Sequence, residues 1–417
     1  MSLETHIAAS DDRLLDALHF GGKNSASYIT ERRHVTFAPS SAASWKPTGV
    51  RLARFNLADQ RGWLDGKTLR LFFTLTNLHA GAALVPESDS PASMFRRVRI
   101  IANGSTVLED IEDHGRLFEM FSYLLPQNRR LGNIAESWGG SATVQPSTAN
   151  MCPIASIPFG QSRQVGCSFI SPMLSNGKYI PLHMMPLTVE LELDEANAVF
   201  AGTANDWEIV RPRLLGDVCQ LDQSLSNSYA QHLLEGKDLP FYCEGLYSIQ
   251  TTIPSGNRFS FPISRGFTRL SAIYMTFWDG NGSWVKRMYN PSEGAVELPN
   301  SADNDDTTWS ITIGSDKIPT FDCESTQESY YRLRLCEQTH SGRDSFGMTP
   351  WDYYTNKFII GQSLEKASGS AHTGLNTRAG SQLTLNFTNI GPATRLHVVL
   401  RFEQIINLSA AGTQVLD

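Results

Sequence analysis

The stretch Leu187-Thr188-Val189-Glu190-Leu191-Glu192-Leu193-Asp194 decides the fold. Leucine and valine alternate with threonine and glutamate, which is the period of two of a β-strand with one buried face. Leu383-Thr384-Leu385-Asn386-Phe387 restates the pattern 196 residues later. The surroundings are restated too. Arg61-Gly62-Trp63 precedes the apolar run of residues 69–75, and Arg265-Gly266-Phe267 precedes that of residues 270–277. The helical run 117–125 is answered by 326–337, where Ser325 and Glu328 have the spacing of a capping box. Residues 164–171 are answered by 357–364, and the closing strand from Trp207 by residues 394–408. Offsets that drift while the order holds are what loop insertions between fixed strands produce.

Working outward, further strands are expected around Val35 and Phe37, over residues 50–57, and over residues 68–78, bounded by Asp65-Gly66. Residues 95–102 alternate and end at Asn103-Gly104, a hairpin signal. Leu117, Met120, Phe121 and Leu124 recur at helical spacing before Pro126. Residues 127–186 read as loop-rich. Asp222 suits the cap of a helix whose Leu225, Tyr229 and Leu233 share a face and which Gly236 stops. A short N-terminal helix is expected after Ser10, with Leu14, Leu15 and Leu18 on one side and Gly21-Gly22 at its end.

The fold class expected is all-β: two tandem eight-stranded jelly-roll β-sandwich domains with a few short helices, a double jelly roll. The divisions are an N-terminal arm at 1–29, a first jelly roll at 30–221, a linker helix at 222–237, a second jelly roll at 238–410 and a tail at 411–417.

Composition narrows the function. The chain has 417 residues, of which 41% are hydrophobic and 18% charged, too apolar for disorder and too poor in charge for a long coiled coil. A low charged fraction suits a surface covered by partner subunits. The net charge of −7 argues against a folded body that grips nucleic acid, because phosphates are neutralised by Lys and Arg. Arg13, Lys23, Arg32, Arg33 and Lys46 leave room only for a local phosphate contact. The six cysteines, at 152, 167, 219, 243, 323 and 336, have no metal-ligand spacing. Residues 1–10 carry no secretory signal, so free thiols in a reducing compartment are expected, and the sequons at Asn103, Asn281, Asn386 and Asn407 read as chance. No apolar window is long enough to span a membrane.

Catalytic patterns reduce to imitations. The run from Gly62 to Thr68 has three residues between its glycines where a phosphate-binding loop has four, and a strand follows where a helix is needed; it reads as a turn. Glu190 and Glu192 could pair as acid and base, but alternating carboxylates read more simply as a solvent-facing strand edge. Asp303, Asp305 and Asp306 lack the glycine and closing glutamate of a calcium loop. The histidines, among them His34, His114, His183 and His340, have no zinc-protease spacing. Trp351-Asp352-Tyr353-Tyr354 reads as a loop used for packing or a subunit contact before a sugar platform. No catalytic, cofactor-binding or metal residue is assigned.

Residues 174–194 (LSNGKYIPLHMMPLTVELELD), 95–125 (FRRVRIIANGSTVLEDIEDHGRLFEMFSYLL) and 239–270 (LPFYCEGLYSIQTTIPSGNRFSFPISRGFTRL) resemble the major capsid proteins of polinton-like viruses and adintoviruses. The resemblance covers roughly residues 30–408, in order and texture. It implies a homotrimeric, pseudo-hexameric capsomer that tiles an icosahedral shell around a DNA genome. It also implies neighbouring capsomers, penton and minor or cement proteins as partners, no cofactor, and a place in the virion after synthesis in a host cell. Two other classes stay open: a two-domain β-sandwich carbohydrate-active enzyme, which needs converging carboxylates, and a glycan-binding or spike protein, which needs an exposed aromatic platform.

Overall fold

The computed structural model describes residues 28–88, 90–126, 138, 156–202, 205–292, 306–337, 346–366, 373–378 and 382–417. The expected helix after Ser10, Cys152, His340, Asp303 and Asp305 lie outside them.

The first half carries eight long strands: β1 (Ile29–Phe37), β2 (Leu52–Leu57), β3 (Gly62–Asn77), β4 (Phe95–Ala102), β5 (Thr106–Ile111), β6 (Ser162–Cys167), β7 (Leu187–Leu193) and β8 (Trp207–Leu221). They form two antiparallel sheets, ordered β1-β8-β3-β6 and β2-β7-β4-β5. The second half has β9 (Leu239–Thr252), β10 (Arg258–Ile263), β11 (Leu270–Trp278), β12 (Thr308–Ile313), β13 (Asp316–Cys323), β14 (Ile360–Ser363), β15 (Leu383–Thr388) and β16 (Arg395–Ser409). Their sheets run β9-β16-β11-β14 and β10-β15-β12-β13, with β17 (Gly412–Leu416) added beside β16. Adding eight to each number of the first pair of sheets gives the second. The chain is therefore the same jelly roll built twice.

The opening stretch explains why the sheets close. Leu187 pairs with Leu57 on one side and Ala102 on the other; Val189 lies between Phe55 and Ile100, and Leu191 between Ala53 and Val98. All nine side chains are buried. In the second half Leu385 lies between Phe261 and Ile311. The β4–β5 hairpin turns at Asn103 (φ 52°) and Gly104 (φ 74°), the two left-handed residues that the Asn-Gly pair supplies at low cost.

Helix α1 (His114–Leu124) follows β5, helix α2 (Gln223–Leu234) joins β8 to β9, and helix α3 (Thr326–Cys336) follows β13. Asp222 caps α2 by accepting from Ser224 N at 3.1 Å, and Gly236 leaves it at φ 78°. Ser325 caps α3 by accepting from Glu328 N, but Glu328 turns its carboxylate to Arg332, so only half of the expected box forms.

Two expectations fail here. Residues 62–68 are not a turn between strands, and Asp65-Gly66 does not bound the strand: β3 starts at Gly62 and continues to Asn77, with its register to β8 broken by an irregularity between Asp65 and Arg70. A Cβ on Gly66 would lie 2.6 Å from the Leu174 carbonyl oxygen, so the glycine serves a close approach within the strand. Trp351 to Tyr354 is not loop but part of a short helix, Pro350–Thr355, with a complete capping box between Thr349 and Asp352.

Candidate assembly surface

Each half has a core between its sheets, but the cores trade side chains. Ile111, Leu117, Met120, Tyr123 and Leu124 from the first half belong to the second core, and Cys243, Ile406 and Leu408 from the second belong to the first. The junction is built mainly by α1. Nine of its eleven residues are buried, which fits a helix held between two bodies and not one lying on a surface.

Arg116 is the buried charge of that junction, 1% exposed. Its Nη2 donates to Thr276 Oγ1 and to the Phe277 carbonyl, both at 3.0 Å. Its Nη1 donates to the carbonyls of Arg287, at 2.8 Å, and Trp284. Its guanidinium lies 4.1 Å from the centre of the Trp284 ring. Burial pulls its pKa down to about 9, while Asp113 acts the other way, so the group still carries its charge at neutral pH. Phe121 meets the Tyr274 ring edge-on at 5.2 Å, and Lys357 stands 4.6 Å over the Tyr123 ring. The buried Glu119 accepts from Ser88 Oγ at 2.7 Å and from Tyr123 OH at 2.6 Å.

The partner surface for α1 is the outer face of β11. Tyr274 and Thr276 point out from the second barrel; Phe121 and Arg116 of α1 meet them, Cys336 and Glu337 at the end of α3 also reach Tyr274, and every residue of β11 before Trp278 is buried. The equivalent strand of the first barrel, β3, has no such cover among the described residues. Its inward Leu69, Leu71, Phe73 and Leu75 are buried, while the outward Phe72 is 40% exposed. The equivalent helix, α3, is open as well. Only Thr326, Ser329, Leu333 and Cys336 are buried. Tyr331 (58%) and Leu335 (38%), one helical turn apart, face solvent, as do Phe321 (85%) and Trp351 (71%) nearby in the sequence.

A second contact joins β5 to β17 and β9. Thr106 Oγ1 donates to the Thr413 carbonyl and Asn103 Nδ2 to Thr413 Oγ1. Between them a cavity of about 240 Å³ is lined by Glu109, Asp110, Arg265, Ser248 and Gln404 among others. Glu109 is buried, accepting from Ser171 Oγ and from Met173 N at 2.6 Å. Burial raises its pKa to about 7, and those two hydrogen bonds hold it from going higher.

The sequence candidates fall elsewhere. Glu190 does not face open solvent: it is 7% exposed, 2.6 Å from Arg54 and 3.6 Å from Arg99. Those arginines lie on the strands flanking β7, and Arg99 and Arg97 continue to Asp110, making an ion-pair row across four strands. For Asp110, burial alone would raise the pKa, but the two arginines outweigh it and hold it low. Glu192, opposite Arg97 in register, is half-buried, so the two glutamates share a strand without a common cleft. His114 is buried and neutral: burial pulls its pKa down to about 4, and its Nε2 accepts from Ile170 N. His34 pairs with Asp217 at the surface, and burial lowers His183 beside Trp63. Arg32 pairs with Asp65 and Asp217 and Arg33 with Asp59, so these cations already have protein counter-ions. Among the described residues no three metal-ligating side chains gather, the five cysteines are free, and no helix is long and apolar enough to cross a membrane.

Two jelly rolls of one topology, locked together through a helix of the first, define a double jelly-roll protein. Solved structures with this fold include the PBCV-1 virus capsid in a quasi-atomic model (TM-score 0.63, 11% identity, covering 95% of this chain and 99% of that one). The Faustovirus major capsid protein follows at TM-score 0.57 and 8% identity, covering 98% and 94%. The Sputnik virophage structure by cryo-EM matches at TM-score 0.56 and 10% identity, covering 97% and 92%. The chain thus shares the fold of viral double jelly-roll major capsid proteins, as the sequence resemblance implied. No protein-family model matches the chain, and no curated protein does.

Proposed function

We propose that this chain is a viral major capsid protein. Three copies form a pseudo-hexameric capsomer, and capsomers tile an icosahedral shell around a DNA genome. The role is structural, not enzymatic. The folding units are residues 30–221 and 238–410, joined by 222–237.

One observation carries the reading: α1 packs on the outer face of β11, while among the described residues its counterpart α3 exposes Tyr331 and Leu335 and the counterpart face on β3 exposes Phe72. Applying the step from first barrel to second once more sets α3 of one copy on the β3 face of the next. Such a contact is head-to-tail, and it makes a closed ring only if the rotation closes. Closure at three copies gives six barrels, a block with near-sixfold outline from a threefold object. Capsomers then meet one another, and penton and minor or cement proteins complete the shell in the virion. Weak contacts between blocks suffice because each block makes many.

Electron microscopy of the purified protein tests this. Hexagonal blocks with a central threefold axis, or closed particles, are expected. Single two-lobed molecules at all concentrations would overturn it.

A further inference from the structure

A second cavity lies where the two halves meet beside helix α2, apart from α1 and the β5 contact. It is a groove of about 470 Å³ between the start of β3, residues 179–181, helix α2 and the ends of β9 and β16. Trp63, Ile180, Leu225, Tyr229, Phe241 and Ile406 make its walls, and Lys178 is the one charged residue among the described residues lining it. Trp63 is 7% exposed, its ring centre 5.2 Å from that of Tyr229 with the two planes tilted by 47°.

The chemistry of the walls selects the occupant. They offer a long apolar surface and one cation, Lys178. That set fits a molecule with a hydrocarbon body and a single anionic end. The volume lies within the range of small-molecule sites, about 300–1,000 Å³. Two turns of an α-helix, about 10 Å wide and 11 Å long, need more room. An extended peptide would bring a donor and an acceptor at every residue, which these walls do not answer. We propose that the groove binds one long-chain fatty acid, its chain along Trp63, Tyr229 and Phe241 and its carboxylate at the Lys178 end.

The test titrates the full-length protein with a bromine-substituted stearic acid and follows tryptophan fluorescence, with displacement of a fluorescent polyene fatty acid as a second readout. Saturable quenching at one site per chain is expected. Trp63→Phe should remove the quenched component while displacement still reports binding. Lys178→Glu, at an exposed position, should weaken binding at least tenfold, and Leu225→Trp should abolish it by filling the groove. Quenching that never saturates, or that survives both Lys178→Glu and Leu225→Trp, would overturn the proposal. So would a tenfold gain in affinity on deleting residues 1–27, which would make the chain's own N-terminal segment the occupant. None of these outcomes depends on whether the protein forms trimers.

Discussion

Arg116 Nη2 and the Phe277 carbonyl oxygen lie 3.0 Å apart, and they join two different barrels. A guanidinium can answer four carbonyl and hydroxyl acceptors at once because its donors sit in a fixed planar fork. Replacing it strands buried acceptors on the second barrel. Arg116→Ala should cost about 3–5 kcal/mol, the range for breaking a buried charged contact on one side. Arg116→Lys should recover little, since an ammonium cannot span the same set. Urea unfolding of both variants checks this; a Lys variant as stable as the parent would show that the fork is not what holds the junction.

Glu109 sets a pH dependence whose sign follows from its burial. Its ordinary value is 4.5 and its folded value about 7. The folded state therefore keeps a proton that the unfolded chain gives up. The associated stability is complete below pH 4.5 and is lost as pH rises through 7, roughly 3 kcal/mol in all. Asp194, raised by burial to about 6, acts in the same direction. His114 acts oppositely, losing stability as pH falls from 6.5 toward about 4. The clean measurement is the difference between parent and Glu109→Gln in melting temperature from pH 5 to 8. The parent should fall relative to the variant across that window; parallel curves would remove Glu109 from the explanation.

The ion-pair row across β2, β7, β4 and β5 gives Glu190 and Glu192 different weights. Glu190→Gln leaves Arg54 and Arg99 without their shared carboxylate and should cost about 1–3 kcal/mol. Glu192→Gln, half-buried, should stay within about 0.5 kcal/mol. Denaturant midpoints measured side by side decide between this and equal effects.

Burial pushes the thiols of Cys243 and Cys336 up to about 12. Thiolate is the reactive form, so both should resist aromatic disulfide reagents at pH 8 in the native protein and react on adding guanidinium. Peptide mapping of labelled protein reads this; fast native labelling would mean that the junction opens if at Cys243, and that α3 lifts from the second core if at Cys336.

Much of the fold was legible because one period governed it. Alternation at 187–193 and 383–387 identifies the central strands, Asn103-Gly104 the hairpin, and Asp222 and Gly236 the ends of α2. What sequence reasoning missed depends on neighbours distant along the chain. The carboxylate of Glu190 reads as solvent-facing until pairing register places Arg54 and Arg99 beside it. Arg116 reads as an ordinary helical cation, since nothing local says that its helix lies between two barrels. One signal was present: Phe118, Phe121 and Tyr123 widen the apolar surface of α1 beyond a single stripe, the mark of a helix covered on more than one side. Gly66 misled for a related reason, because a glycine needed for close approach looks the same in sequence as one that turns the chain.

The assembly surface itself is tested most directly by light scattering of the full-length protein beside Tyr331→Glu/Leu335→Glu, two changes on the exposed face of α3. If that face grips the next copy, the parent elutes at three times 46.2 kDa and the double variant at 46.2 kDa, with an unchanged circular dichroism spectrum. A parent that stays at the mass of one chain at every concentration, or a double variant that still elutes as three, would contradict it.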